Sequence, residues 1–103
     1  MGKDSVRILG RKYRIRVLKR MKHAGLCDYV KATLKIKDGQ DAHETKDALV
    51  HEIFHAILYQ QGREYGGETE ETYVRALATG LIAVLQDNPE LAAYIAKPIE
   101  EKP

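Results

Sequence analysis

The sequence predicts an α+β domain: a small, largely antiparallel sheet of about three strands, a helix carrying His-Glu-x-x-His, a second long helix and a short C-terminal helix. Three observations lead there. Apolar residues alternate with basic or polar ones over residues 13–18 and 30–37, the period of a strand with one buried and one wet face. After Gly39 the apolar spacing becomes that of a helix. The 103 residues, 44% hydrophobic and 31% charged, suit one globular domain, 1–103, with a modest core.

The first strands are read at 5–9 (SVRIL) and 13–18 (YRIRVL), joined by Gly10-Arg11-Lys12. In the second, Tyr13, Ile15 and Val17 form the inner row and Arg14 and Arg16 the outer one. From Lys19 to Cys27 the pattern weakens, and Gly25 marks a turn. Residues 29–37 then give the clearest alternation, Val30, Ala32, Leu34 and Ile36 against Lys31, Thr33, Lys35 and Lys37, ended by Asp38-Gly39. A helix starts at Glu44 or Thr45 and stops at Gly62, a C-terminal capping glycine. It is apolar nearly all round, so it is expected to be central and buried. After the loop GREYGG, a second helix over about 68–86 carries Glu68, Glu70 and Glu71 in its first turn, where the helix dipole favours acids. Its inner face is read as Val74, Leu77, Ala78, Leu81, Ile82 and Leu85. Asn88-Pro89 opens a last helix to about Ala96, and the tail IEEKP follows.

Composition narrows the function classes. No apolar run reaches the roughly 18 residues that span a bilayer, and the N-terminal stretch MGKDSVRILGRKYRIR lacks the apolar segment of a secretory signal. The single cysteine, Cys27, makes no internal disulfide and is read as a small buried hydrophobe. A cytoplasmic protein is expected, with no membrane partner. Core burial alone is marginal at this size, so a bound metal or a second copy of the chain would help. Charge is divided unevenly: residues 1–37 carry twelve Lys/Arg against two acids, net +10, and residues 38–103 carry five against thirteen, net −8. Such a split can mark a nucleic-acid surface. At least nine of the twelve basic residues, however, sit on strands or beside their turns, and no groove-reading motif accompanies them. A solvated sheet face is the favoured reading, and no nucleic-acid partner is expected.

The chemistry is concentrated in His51-Glu52-Ile53-Phe54-His55. Residues i and i+4 share a helical face, so both imidazoles reach one ion. Glu52 falls to the side, where it can act on a zinc-bound water as base. By composition this pattern arises by chance roughly 0.01 times in such a chain. Two histidines and a glutamate buried in an apolar helix without partners would cost several kcal/mol, which a shared metal removes. Catalytic zinc takes three protein ligands and keeps one position open. The longer HExxHxxGxxH pattern fails, because Leu58 and Gln61 occupy its glycine and third-histidine positions. His23 and His43 are read as surface residues. The third ligand then comes from the acids opening the second helix, with Glu70 and Glu71 both near its inner face and Glu68 turned away. Tyr59, Tyr65, Tyr73 and His43 are candidates for stabilising an oxyanion.

The segment ALVHEIFHAILYQQG followed by ETEETYVRALATGLIAVLQDNPEL resembles the HExxH-plus-glutamate zincins, the gluzincin type. The likeness is to small phage- and prophage-encoded proteins related to the ImmA/IrrE-type and minimal gluzincin peptidases. It implies a zinc metallopeptidase of zincin-like fold acting on a peptide or protein, with His51, His55 and Glu71 as ligands and Glu52 as the base. Glu71 is selected by the stretch Glu71-Thr72-Tyr73-Val74-Arg75-Ala76-Leu77-Ala78; Arg75 departs from the family's usual polar amide or acid, which leaves support of a histidine ligand open. The resemblance also implies that the strand at 29–37 edges the cleft, where a substrate adds as a further strand and Lys31, Lys35 and Lys37 favour acidic peptides or merely block aggregation. The alternative is a non-catalytic zinc-binding regulatory or interaction protein on the same scaffold.

Overall fold

The computed structural model describes residues 4–99; the tail beyond Ile99 lies outside them. The architecture is α+β, with strands β1 (Ser5–Ile8), β2 (Arg11–Leu18), β3 (Gly25–Asp28) and β4 (Thr33–Lys37), then helices α1 (Ala42–Gln60), α2 (Gly67–Asp87) and α3 (Pro89–Ala96). The sheet has four strands in the order β1-β2-β4-β3 and is mixed: its outer pairs are antiparallel, its central pair β2–β4 parallel. The expected three strands are corrected to four; the sheet is largely antiparallel, in two of its three pairings, but its central pairing is parallel. Parallel neighbours need a crossover, and residues 19–32 supply it, with the unforeseen β3 inside it.

Local chemistry explains the shifted boundaries. Leu9 and Gly10 both have positive φ (46° and 85°), the two-residue hairpin turn that pairs Ile8 with Arg11. Strand β2 therefore begins two residues earlier than its alternation suggests. Between β3 and β4, the Asp28 side chain accepts the Lys31 amide at 3.0 Å and Ala32 takes φ 47°, so residues 29–32 turn instead of extending. Val30, expected on the inner row, is 86% exposed at that turn. Helix α1 starts at a capping box: the Asp41 side chain accepts the Glu44 amide at 2.7 Å, and the Glu44 side chain accepts the Asp41 amide. It ends in a Schellman motif, with Arg63 N–H donating to Leu58 O and Gly62 N–H to Tyr59 O. Asn88 precedes α3 as foreseen, but its side chain donates to Val84 O and closes α2 instead of capping α3.

Ile8, Tyr13, Leu34 and Ala56 form the buried core, joined by Leu49, Ile53 and Ile57 of α1. Helix α1 packs on β3 and β4, touches β1, and carries α2 on its far side. Arg14 and Arg16 of β2 are exposed as the alternation requires, and Arg16 stands beside Lys35 across the parallel pair, but Val17, expected on the inner row, is 50% exposed. The inner face of α2 is narrower than expected. Val74, Ala78 and Ile82 are buried, whereas Leu77 is 57% and Leu81 40% exposed. Among the described residues no helix is long and apolar enough to cross a membrane.

Candidate metal centre

Helix α1 presents His51 and His55 on one face, and the first turn of α2 lies across them. The two Nε2 atoms are 3.2 Å apart. Glu71 closes the triangle, with Oε2 3.0 Å from His51 Nε2 and Oε1 2.6 Å from His55 Nε2. One ligand atom from each of His51, His55 and Glu71 falls within a span of 4.8 Å, the grouping a single ion requires.

Glu70 and Glu71 have separate tasks. Glu70 Oε2 accepts from His55 Nδ1 at 2.7 Å, while its Oε1 accepts the amides of Tyr65 and Gly66 at 2.9 and 3.0 Å. The loop can deliver those amides because Gly66 and Gly67 take φ of 69° and 76°, a left-handed pair that favours glycine. With Nδ1–H committed to Glu70, neutral His55 keeps its lone pair on Nε2. That lone pair, the Glu71 carboxylate and the inward nitrogen of His51 converge, three electron-rich groups with too little space to avoid one another. A divalent cation fits this donor set, and a carboxylate behind a ligating histidine is the usual support for such a site. Glu70, and not Arg75, stands where such support would come from. Arg75 itself lies 3.8 Å from Glu71 Oε2 as an exposed i,i+4 pair, worth little in water.

Burial would raise the Glu70 carboxyl, but the Gly66 and Tyr65 amides and the His55 ring pull it below the ordinary range. When no metal is bound and the rings instead donate to Glu71, the hydrogen bond and charge of His51, then those of His55, outweigh burial and lower its carboxyl. Glu52 goes the other way. It is 6% exposed, and burial lifts its carboxyl to about 7 despite the opposing pull of His55. A carboxyl poised near neutrality is suited to exchanging protons. Gly25 of β3 makes room for it: a Cβ there would lie 2.9 Å from Glu52 Oε2 and 3.0 Å from its Cγ.

These groups line an open cavity of about 680 Å³, within the usual size of small-ligand sites. Its wall includes Gly25, Leu26 and Cys27 of β3, and, as sequence reasoning missed, His23, Tyr29 and Arg75. The four expected oxyanion donors are elsewhere. Tyr59 stacks on Tyr29 with centroids 4.4 Å apart, Tyr65 and Tyr73 point to solvent, and His43 is exposed on the first turn of α1. Cys27 stays out of the ligand group; burial, then the nearby Glu52, pushes its thiol up to about 12. The strand at the cleft edge is β3, because β4 is paired on both sides. Lys31 lies in the turn before β4, and neither Lys35 nor Lys37 lines the cavity, whose wall carries Glu52, Glu64, Glu70 and Glu71. The lysines therefore do not select acidic peptides at this site. Compared with protein-family models, with curated proteins and with solved structures, the chain finds no significant match.

Proposed function

We propose that the chain is a zinc-dependent metallopeptidase, the reading to which its HExxH motif and its resemblance to gluzincins also lead. The observation that carries it is the convergence of His51 Nε2, His55 Nε2 and a Glu71 carboxylate, with a Glu70 oxygen 2.7 Å from His55 Nδ1, where it favours the tautomer whose lone pair faces inward. His51, His55 and Glu71 would hold the ion; zinc would supply Lewis-acid polarisation and lower the pKa of a coordinated water toward neutrality. Glu52, buried against the same cavity, would accept a proton from an attacking water as its oxygen bonds to the scissile carbonyl carbon. It returns that proton to the amine as the C–N bond breaks. The unpaired edge of β3 offers an extended peptide backbone hydrogen bonds beside this centre. The acidic wall suits a substrate that is neutral or basic where it enters.

The test is metal stripping and reloading of the full chain, followed by peptide-library cleavage read by mass spectrometry. Zinc is expected to bind one to one, with cleavage lost to chelation and restored by zinc. Stoichiometric zinc with no turnover on any peptide would replace this reading by the non-catalytic one.

Gly25→Ala probes the placement of the base. The added methyl meets Glu52 at its Cγ as well as at its mobile end, so the carboxylate must shift. Misplacement of a catalytic group by about 1 Å can cost up to a hundredfold. Gly25→Ala is accordingly expected to lower kcat/KM by roughly 10- to 100-fold at unchanged zinc affinity. Equal activity in the two proteins, measured by peptide cleavage beside a zinc titration, would count against the placement.

A further inference from the structure

Helix α2 has a third face that neither its packing nor its polar side uses. Tyr73, Leu77, Leu81 and Val84 are 68%, 57%, 40% and 46% exposed. At 100° per residue they fall within an arc of about 80°, beside the buried ridge Val74-Ala78-Ile82. Helix α3 repeats the pattern with Leu91, Tyr94 and Ile95 at i, i+3 and i+4, exposed by 43%, 77% and 64%. It has no buried residue, and among the described residues it packs on no element except α2. Eight residues are too few for a helix to be stable on propensity alone. An uncovered apolar hairpin of this kind marks a contact surface.

We propose that the α2–α3 hairpin is the interface of a two-fold homodimer. Area is the first argument. The chain exposes 7982 Å², whereas a folded monomer of 11.7 kDa should expose about 5,900 Å². Even counted as fully extended chain, the seven residues outside the described range add at most about 1,150 Å². The remaining excess, roughly 900 Å² over the whole chain, is large enough to supply the ~800 Å² that each partner of a standard interface covers. Charge is the second argument. A two-fold contact sets a patch against its own copy, and these two stripes contain no ionisable group except the tyrosine hydroxyls, so pairing buries no like charges. An anionic lipid surface fits worse: residues 67–97 carry Glu68, Glu70, Glu71, Asp87 and Glu90 against only Arg75 and Lys97, where membrane-surface helices are rich in cations. The dimer does not depend on the peptidase reading, since none of its contact residues is a proposed metal ligand or base.

Sedimentation equilibrium of the full chain at 2–200 µM, with zinc and with chelator, tests it. The expected mass is about 23 kDa, twice the 11.7 kDa of the chain. The double variant Leu77→Glu/Leu81→Glu is expected to raise the dissociation constant at least ~30-fold, the effect of losing a central contact. Its far-UV circular dichroism should change little, because neither side chain belongs to the buried core. Thr72→Glu, on the polar side of α2, should leave the dimer intact. A wild-type mass of 11.7 kDa throughout, or a dimer indifferent to the paired glutamates, would overturn the proposal.

Discussion

Glu52→Gln is expected to lower kcat/KM for peptide hydrolysis by a factor of about 100 to 10,000, the range for loss of a positioned general base. Zinc affinity should change little, because the ligand set does not include this residue. The same substitution should make the metal-free protein more stable above about pH 4.5, and most of all at neutral or higher pH. In the folded chain burial raises the Glu52 carboxyl from 4.5 to about 7. Between those values the folded state holds a proton that the unfolded state has lost, so stability falls as pH rises through this window. The full penalty applies above pH 7 and vanishes below about 4.5. At 1.36 kcal/mol per pKa unit it amounts to roughly 3 kcal/mol at most, less whatever the buried glutamine amide loses by incomplete hydrogen bonding. Urea titrations of chelator-treated protein should place Glu52→Gln about 1–3 kcal/mol above wild type at pH 8 and level with it at pH 4. A variant no more stable at pH 8 would mean that the carboxylate is well solvated, and would remove the reason for its value near neutrality.

This opposition of stability and activity at one buried carboxylate is what a functional site built on a small core should show. The pattern of the sequence reveals the helix bearing His51, Glu52 and His55, because 3.6-residue periodicity and i,i+4 spacing are local properties. It reveals less of what lies across the cavity. Strand β3 is only four residues long, and its GLCD sequence has a glycine where alternation would be measured. That glycine answers to the side chain of Glu52, 27 positions further on, a constraint invisible to any local window. The parallel pairing of β2 with β4 depends similarly on where the crossover places β3, not on either strand's own residues. The strand start at Arg11 and the turn at 29–32 were hidden by left-handed Leu9 and Ala32, residues without the usual preference for that conformation. By contrast, the Asp41–Glu44 capping box was legible, and reading it would have placed the start of α1 correctly. The α2 stripe misled for a different reason: periodicity identifies an apolar face without saying whether the chain's own core covers it.

Glu70 was one of two carboxylates that helical spacing left equivalent, and a single substitution should separate their roles. In Glu70→Gln, the amide oxygen can still accept from Tyr65 and Gly66, so the loop keeps its anchor. The amide NH₂ then faces His55 Nδ1, which must become an acceptor and move the ring proton to Nε2. That proton occupies the lone pair needed for metal, and its cost should appear in zinc binding before it appears in folding. Loss of a carboxylate behind a ligating histidine typically costs 10- to 100-fold in metal affinity. Glu70→Gln is expected within that range, with a melting temperature near that of the metal-free wild type. Glu70→Ala should lose the same affinity and also stability, on the order of 1–3 kcal/mol in all, because the part-buried Gly66 amide and His55 Nδ1 lose their acceptor. Competition titrations with a zinc chelator, paired with thermal melts of the metal-free proteins, distinguish the two variants. Zinc affinity unchanged within about threefold in Glu70→Gln would show that His55 is oriented by packing alone, since the expected tautomer penalty is at least tenfold.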